Sequence, residues 1–228
     1  MGDLGAGEAT LTGGDAQHLA QVLRVRPGAR VRAFDGAGLE AAGVVTGVEP
    51  FRVTLDLEAP APSAAEASLK VTLAVALLKG DKLAEVVRRG TELGVADFRL
   101  FTSGRCDVRE LSANKLERLR RVAQEAAKQS GRSVVPPVGE VVKLERLELG
   151  RFSLVADPYA EATLRERLDA HAPGSVSVVT GPEGGLGPAE VAALADRGAY
   201  PLRLGARILR AETAPVALAA ALLVPEAL

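Results

Sequence analysis

Val71-Thr-Leu-Ala-Val-Ala-Leu-Leu78, followed by Lys79-Gly-Asp-Lys82 and then by Leu83, Val86, Val87 and Leu93 ahead of Gly94, decides the fold class of this chain. An apolar run of this length fits a strand buried on both faces. Asp81 stands where a helix cap belongs, the apolar residues after it share one helical side, and Gly94 supplies a left-handed stop. The rhythm repeats downstream. Residues 95–101 read as a strand, and Ser112 caps a longer helix marked by Leu116, Leu119, Val122, Ala123 and Ala126 and ended by Gly131. Residues 152–156 and 175–180 are further strands, with a helix around 160–170 between them. Pro188 takes a first-turn position in a helix that runs to Arg197 with Gly198 beyond it. Residues 200–204 form a last short strand, and the alanine-rich stretch 212–223 a last helix. This alternation predicts an α/β domain on a mostly parallel sheet.

Upstream the periodicity changes. Residues 59–68 carry two prolines and no apolar period, as a linker does. Before them, residues 30–34, 39–48 and 51–57 alternate at period two, and Asp35-Gly-Ala-Gly38 supplies turn chemistry between the first two. One helix, 15–23 with Asp15 as its cap, interrupts the strands. Several short strands in so short a segment predict a small barrel. The expected domains are therefore 1–68 and 69–228, reasonable for 228 residues at ~150 per domain.

Composition removes several function classes. The single cysteine, Cys106, excludes an internal disulfide and a multi-cysteine metal site, and two histidines (His18 and His171) make a zinc site a poor fit, so no metal is expected. Cys106 reads as a small buried hydrophobe and His171 as a solvated helix end. The longest uncharged run, 213–225, falls short of the ~20 residues that a membrane helix needs. The opening Met1-Gly-Asp-Leu lacks the basic start and apolar core of a signal peptide, so a cytoplasmic globular protein is expected. Net charge is −1 but uneven: −4 over residues 1–69, +6 over 70–151 and −3 over 152–228. Residues 99–132 hold nine basic and four acidic side chains, which fits either a polyanion-binding face or a solvated, salt-bridged helix side.

Two glycine loops carry candidate chemistry. Thr180-Gly-Pro-Glu-Gly-Gly-Leu-Gly187 joins a strand to a helix and lets backbone approach a ligand at the carboxyl end of the sheet. Its spacing is neither that of a P-loop nor that of the dinucleotide fingerprint. A tight connection would look the same, and spacing alone leaves both readings open. Leu202-Arg-Leu-Gly-Ala-Arg-Ile-Leu-Arg-Ala-Glu-Thr213 is the second such loop, and its Arg207, Arg210 and Glu212 are unusual beside an uncharged helix. Charges there serve substrate, the helix end or a partner chain.

The motifs Lys79-Gly-Asp-Lys82, Thr91-Glu-Leu-Gly-Val95, Ser103-Gly-Arg-Cys106, Glu125-Ala-Ala-Lys-Gln-Ser-Gly-Arg132 with Pro136, Gly181-Pro-Glu-Gly-Gly185 and Leu204-Gly-Ala-Arg-Ile-Leu-Arg-Ala-Glu-Thr-Ala214 resemble the RsmE family of the SPOUT superfamily. His18-Leu19, Val22-Leu-Arg24 and Gly28 extend the resemblance into the N-terminal part. The chain departs from the family in opening Met1-Gly-Asp-Leu instead of with a short arginine-containing strand, and in Arg89 where a lysine is usual.

The resemblance implies a PUA-like barrel followed by a SPOUT domain whose C-terminal segment forms a trefoil knot, a rare exception to unknotted chains. It also implies a homodimer that methylates N3 of a uridine in the decoding region of 16S rRNA, within the small ribosomal subunit. S-adenosylmethionine would sit on Ala156, Asp157, Thr180, Gly181, Pro182, Glu183, Gly185, Leu202, Leu204, Gly205, Ile208 and Leu209. Arg24, Arg105, Arg118, Arg121 and Arg132 would hold RNA. Uridine N3 is a poor nucleophile until its proton leaves, so positioning and charge stabilisation must supply the rate. Arg210 and Arg132 are the candidate cations, with Glu183 or Glu212 as orienting carboxylate or base. Each has a plainer alternative: Glu183 capping amides, Arg132 on a phosphate, Arg210 and Glu212 as an ion pair. Two other functions keep the same loops: a SPOUT enzyme with another target such as a ribose 2′-hydroxyl, or a non-catalytic rRNA-binding assembly factor.

Overall fold

In the computed structural model, residues 4–171 and 173–224 are described. Met1, Gly2 and Asp3 of the chain's opening, and Pro225 at the end of its uncharged run, lie outside the described residues. The chain forms two units, residues 1–66 together with 131–134, and residues 67–130 together with 135–228. The segment 131–134 thus belongs to the first unit although it follows the longest helix of the second.

In the first unit, β1 (Gly7–Thr12), β2 (Arg30–Phe34), β3 (Leu39–Glu49) and β4 (Arg52–Leu57) form an antiparallel sheet in the order β1-β4-β3-β2. The period-two pattern explains its core: Val53, Leu55 and Leu57 of β4 and Ala41 and Val45 of β3 are buried, while their neighbours face outward. A short β5 (Ala61–Pro62) pairs with β3 inside the stretch that composition marks as linker. The turn between β2 and β3 is held by Asp35, whose Oδ1 accepts hydrogen bonds from the amides of Ala37, Gly38 and Leu39 at 2.7–3.0 Å. The expected helix starts earlier than Asp15. Thr12 occupies the cap position, α1 spans Gly13–Gln17, and a π-helical turn follows over His18–Val22. Asp15 instead lies in the first turn, where a carboxylate still favours the helix dipole.

In the second unit, β6 (Lys70–Ala76), β7 (Asp97–Thr102), β8 (Val138–Lys143), β9 (Ser153–Ala156), β10 (Ser175–Thr180) and β11 (Ala199–Leu202) form a wholly parallel sheet in the order β11-β9-β10-β6-β7-β8. Helices α2 (Lys82–Leu93), α3 (Ala113–Ser130), α4 (Leu164–Asp169), α5 (Pro188–Asp196) and α6 (Thr213–Leu223) connect or follow its strands. Strand β8 has no counterpart in the sequence reading. It is a half-exposed edge strand with Glu140 and Lys143 in it, so it carries no buried apolar run.

The central strand β6 is buried on both faces, as its apolar run requires. Val71, Leu73 and Val75 join one core with Val86 and Val87 of α2, Leu116 and Leu119 of α3, and Leu218 and Leu222 of α6. Ala74 and Ala76 join the other with Phe101, Val155, Val179 and Leu194. Each fully buried valine or leucine here stabilises the fold by roughly 1.5–3 kcal/mol. Gly90 lets α2 lie close on the sheet, because a Cβ there would come within 2.8 Å of the Phe98 ring. Gly94 ends α2 at φ 102°, a left-handed stop. Cys106 is buried in the second core, its sulfur accepting from the Ser103 amide at 3.3 Å.

Candidate active site

Strands β9, β10 and β11 are adjacent and parallel, so their carboxyl ends open on the same edge of the sheet. Three connections leave from there: residues 156–159, 180–187 and 202–212. Together they line a cavity of about 540 Å³, within the range of small-ligand sites. Ala156, Asp157, Thr180, Gly181, Pro182, Glu183, Gly185, Leu202, Leu204, Ile208 and Leu209 all line it, as do Arg105, Arg207, Arg210 and Glu212. Gly205 does not; it has φ 74° and turns the 202–212 loop.

The 180–187 loop is shaped by glycine and fastened from three sides. A Cβ at Gly181 would come within 2.9 Å of the Leu186 amide nitrogen, and Gly185 has φ 69°. Arg105 donates to the Gly184 carbonyl at 3.2 Å. Glu190 of α5 accepts from the Gly187 and Gly104 amides, both at 2.7 Å, tying this loop to the 103–106 turn. Glu183 accepts from the Lys79 amide at 3.1 Å and from the Lys82 ammonium at 3.0 Å. Burial by itself would raise the Glu183 carboxyl, but the Lys82 hydrogen bond and the neighbouring amides hold it below its usual value.

The cavity has the marks of a ligand site. Thr180 Oγ1 and Glu212 Oε2 are buried without a hydrogen-bond partner among the described residues. Arg210 lines the cavity, and its guanidinium makes no hydrogen bond or ion pair among those residues. The close backbone approach at Gly181 and these polar atoms suit a polar, hydrogen-bonding ligand such as S-adenosylmethionine.

Several expected site residues lie elsewhere. Arg132 belongs to the first unit, does not line the cavity, and is only 3% exposed; Glu66 takes its guanidinium at 2.7 Å. Its guanidinium is thus engaged by Glu66 inside the first unit. Arg24 is exposed with φ 51°, a left-handed conformation unusual for a non-glycine residue. Arg118 and Arg121 are exposed on α3; Arg118 pairs with Asp81 at 2.6 Å, and the Asp81 side chain makes no capping bond to α2. His171 follows α4 and is exposed, as expected of a solvated helix end, with its ring 4.7 Å from those of Phe152 and Tyr200. Lys82 and Glu190 escaped the sequence reading. Lys82 stood in a quoted motif, but nothing local marks Glu183 and Glu212 as its partners or Gly104 as a partner of Glu190; only the Gly187 amide, three residues before Glu190 at the helix cap, is local.

A parallel α/β unit with such a cavity at adjacent strand ends, joined to a small antiparallel unit, is the architecture of an RNA methyltransferase, and residues 65–223 and 11–58 match the models of the RNA methyltransferase domain and the RNA methyltransferase PUA domain. Curated relatives called ribosomal RNA small subunit methyltransferase E are similar over most of the chain. That of Bacillus subtilis is 32% identical, covering 91% of this chain and 86% of its own, and that of Mycobacterium bovis 36% identical, covering 90% and 82%. The crystal structure of the Neisseria gonorrhoeae protein of that name, bound to S-adenosylmethionine, superposes with a TM-score of 0.89 at 30% identity, covering 98% of this chain and 94% of the other. The chain belongs to the ribosomal RNA small subunit methyltransferase E family.

Proposed function

We infer that this protein transfers the methyl group of S-adenosylmethionine to N3 of a uridine in the decoding region of 16S rRNA, acting on the small ribosomal subunit as a cytoplasmic homodimer. One observation carries the reading: three loops at the carboxyl ends of β9, β10 and β11 line a cavity that holds the buried Thr180 Oγ1, which has no hydrogen-bond partner among the described residues, beside Arg210, which is unpaired among those residues. The family's S-adenosylmethionine-bound structures support the cofactor. In this reading α6, which returns from the edge beyond β11 to pack on β6, β10 and α2, closes the trefoil knot.

Bound S-adenosylmethionine supplies an electrophilic methyl group; this chain's residues do the rest. Thr180, Gly181, Leu202 and Leu209 present backbone and small side chains to the cofactor. Arg210 donates to the uracil oxygens as negative charge builds on the ring during loss of the N3 proton. Glu183 is committed to Lys82 and the Lys79 amide and acts as an orienting carboxylate. Glu212 takes the proton as the N3–carbon bond forms. Arg24, Arg105, Arg118 and Arg121 hold RNA phosphates.

The test is transfer of tritiated methyl to small subunits from a strain lacking this enzyme, followed by nucleoside analysis. Label on uridine N3 is expected. Label on a ribose hydroxyl would establish the alternative SPOUT target, and no label at all the assembly-factor reading.

A further inference from the structure

Lys82 lies at the first turn of α2, on the element that follows the central strand, yet its ammonium meets carboxylates from both cavity loops. Nζ is 3.0 Å from Glu183 Oε1 of the 180–187 loop and 3.4 Å from Glu212 Oε2 at the end of the 202–212 loop. These pairs are only partly open to solvent. The three side chains are 34%, 24% and 16% exposed, and Glu212 Oε2 is buried with no hydrogen bond to satisfy it. The two loops share no other side-chain ion pair among the described residues; the ligand's space lies between them.

We propose that Lys82 is a positioning residue that clasps the two cofactor loops together through Glu183 and Glu212 and so sets the width of the cavity. Its reach extends to Arg210. The amides of Thr213 and Ala214 bond to the Arg210 carbonyl at 2.9 and 3.0 Å, so fixing Glu212 also fixes the backbone that carries the free guanidinium. The other charges around the clasp are accounted for. Lys79 is paired with Asp107 at 2.8 Å, Asp81 with Arg118, and Arg105 bonds a carbonyl, while Arg207 and Arg210 line the opposite loop. The hydrogen bond to Glu183 raises the Lys82 ammonium above its ordinary value, so acid loosens the clasp by protonating Glu183 and not by any change at Lys82.

The inference rests on the cofactor reading above, and the experiment separates the two. The full-length protein and its Lys82→Met, Lys82→Arg and Lys82→Met/Glu183→Gln variants are titrated calorimetrically with S-adenosylhomocysteine from pH 8 to acid conditions. The unaltered protein should bind evenly until the pH falls below the ordinary carboxylate range. Lys82→Met should bind about tenfold more weakly at neutral pH, the loss of one charge-assisted hydrogen bond. Its further fall should begin at higher pH, because Glu183 then protonates more readily. Lys82→Arg should restore the pH profile, and the double variant should be no weaker than Lys82→Met. Carboxyl NMR of Glu183 without ligand should show the same upward move in Lys82→Met. Normal binding by the unaltered protein with an unchanged profile in Lys82→Met overturns the clasp alone; so does weaker binding with a parallel profile. No heat from the unaltered protein overturns the cofactor reading and the clasp with it.

Discussion

Glu66 and Arg132, far apart in the chain, form one ion pair of 2.7 Å whose side chains are only 13% and 4% exposed. Glu66 Oε1 also accepts from the amides of Ser133 and Val134 at 3.1 and 3.0 Å, so a single carboxylate fastens the 131–134 segment within the first unit. Both charges are largely taken out of water, and each supplies the other's countercharge. Removing either should therefore be costly. Glu66→Gln or Arg132→Met should each lower stability by roughly 3 kcal/mol in urea unfolding, since each leaves a buried group without its partner. A double variant that is no worse than either single one is expected, and additive losses would show that the two do not act as a pair.

The same pair sets an acid limit. Burial tends to raise the Glu66 carboxyl, but hydrogen bonding and charge from Arg132 hold it below its usual value of 4.5. A carboxylate with a depressed folded value stabilises the fold above its unfolded value and loses that contribution as pH falls through the folded one. Stability should be flat above pH 5 and decline below the ordinary carboxylate range, and the decline should be shallower in the Glu66→Gln variant. Unfolding midpoints measured across that range decide it.

Gly181 is expected to tolerate no side chain. A methyl group there would press on the Leu186 amide nitrogen, which is backbone and cannot swing aside. Gly181→Ala should cut S-adenosylmethionine affinity at least about tenfold, or roughly 1.4 kcal/mol. Gly185→Val, a branched side chain at φ 69°, should do the same through backbone strain. Calorimetry at neutral pH reads both.

Arg210→Ala should reduce kcat by about 100-fold while changing cofactor affinity little, as removal of a donor that acts only on transition-state charge does. Equal losses in kcat and cofactor binding would instead make Arg210 a cofactor ligand.

Arg118 and Arg121 stand exposed on α3, Arg118 in a solvated pair with Asp81. Reversing both to Glu should weaken binding to ribosomal RNA and flatten its salt dependence by roughly 1 to 2 units of log–log slope. Unchanged binding would mean that this helix face is merely hydrated.

The sequence by itself determined the elements that have a period or a stop signal. The apolar run at Val71, the helix residues before Gly94, Pro188 with Gly198, and the alternating Val53, Leu55 and Leu57 each encode their own conformation and burial within a few residues. The glycine loops at 180–187 and 202–212 were legible for the same reason, since glycines after a strand mark local backbone demands. Only the tertiary structure decided what those elements meet. Strand β8 becomes a strand because β7 offers it an edge, and its valines, broken by Gly139 and Glu140, form neither a clean alternation nor an apolar run that would announce it. Arg132 sits in a quoted motif near basic neighbours, and nothing there shows that Glu66 will neutralise it. Lys82 and Glu190 likewise meet Glu183 and Gly104, which lie 101 and 86 positions away respectively. A charged side chain has no periodic signature, and its partner is chosen by which chain segments the sheet order brings side by side.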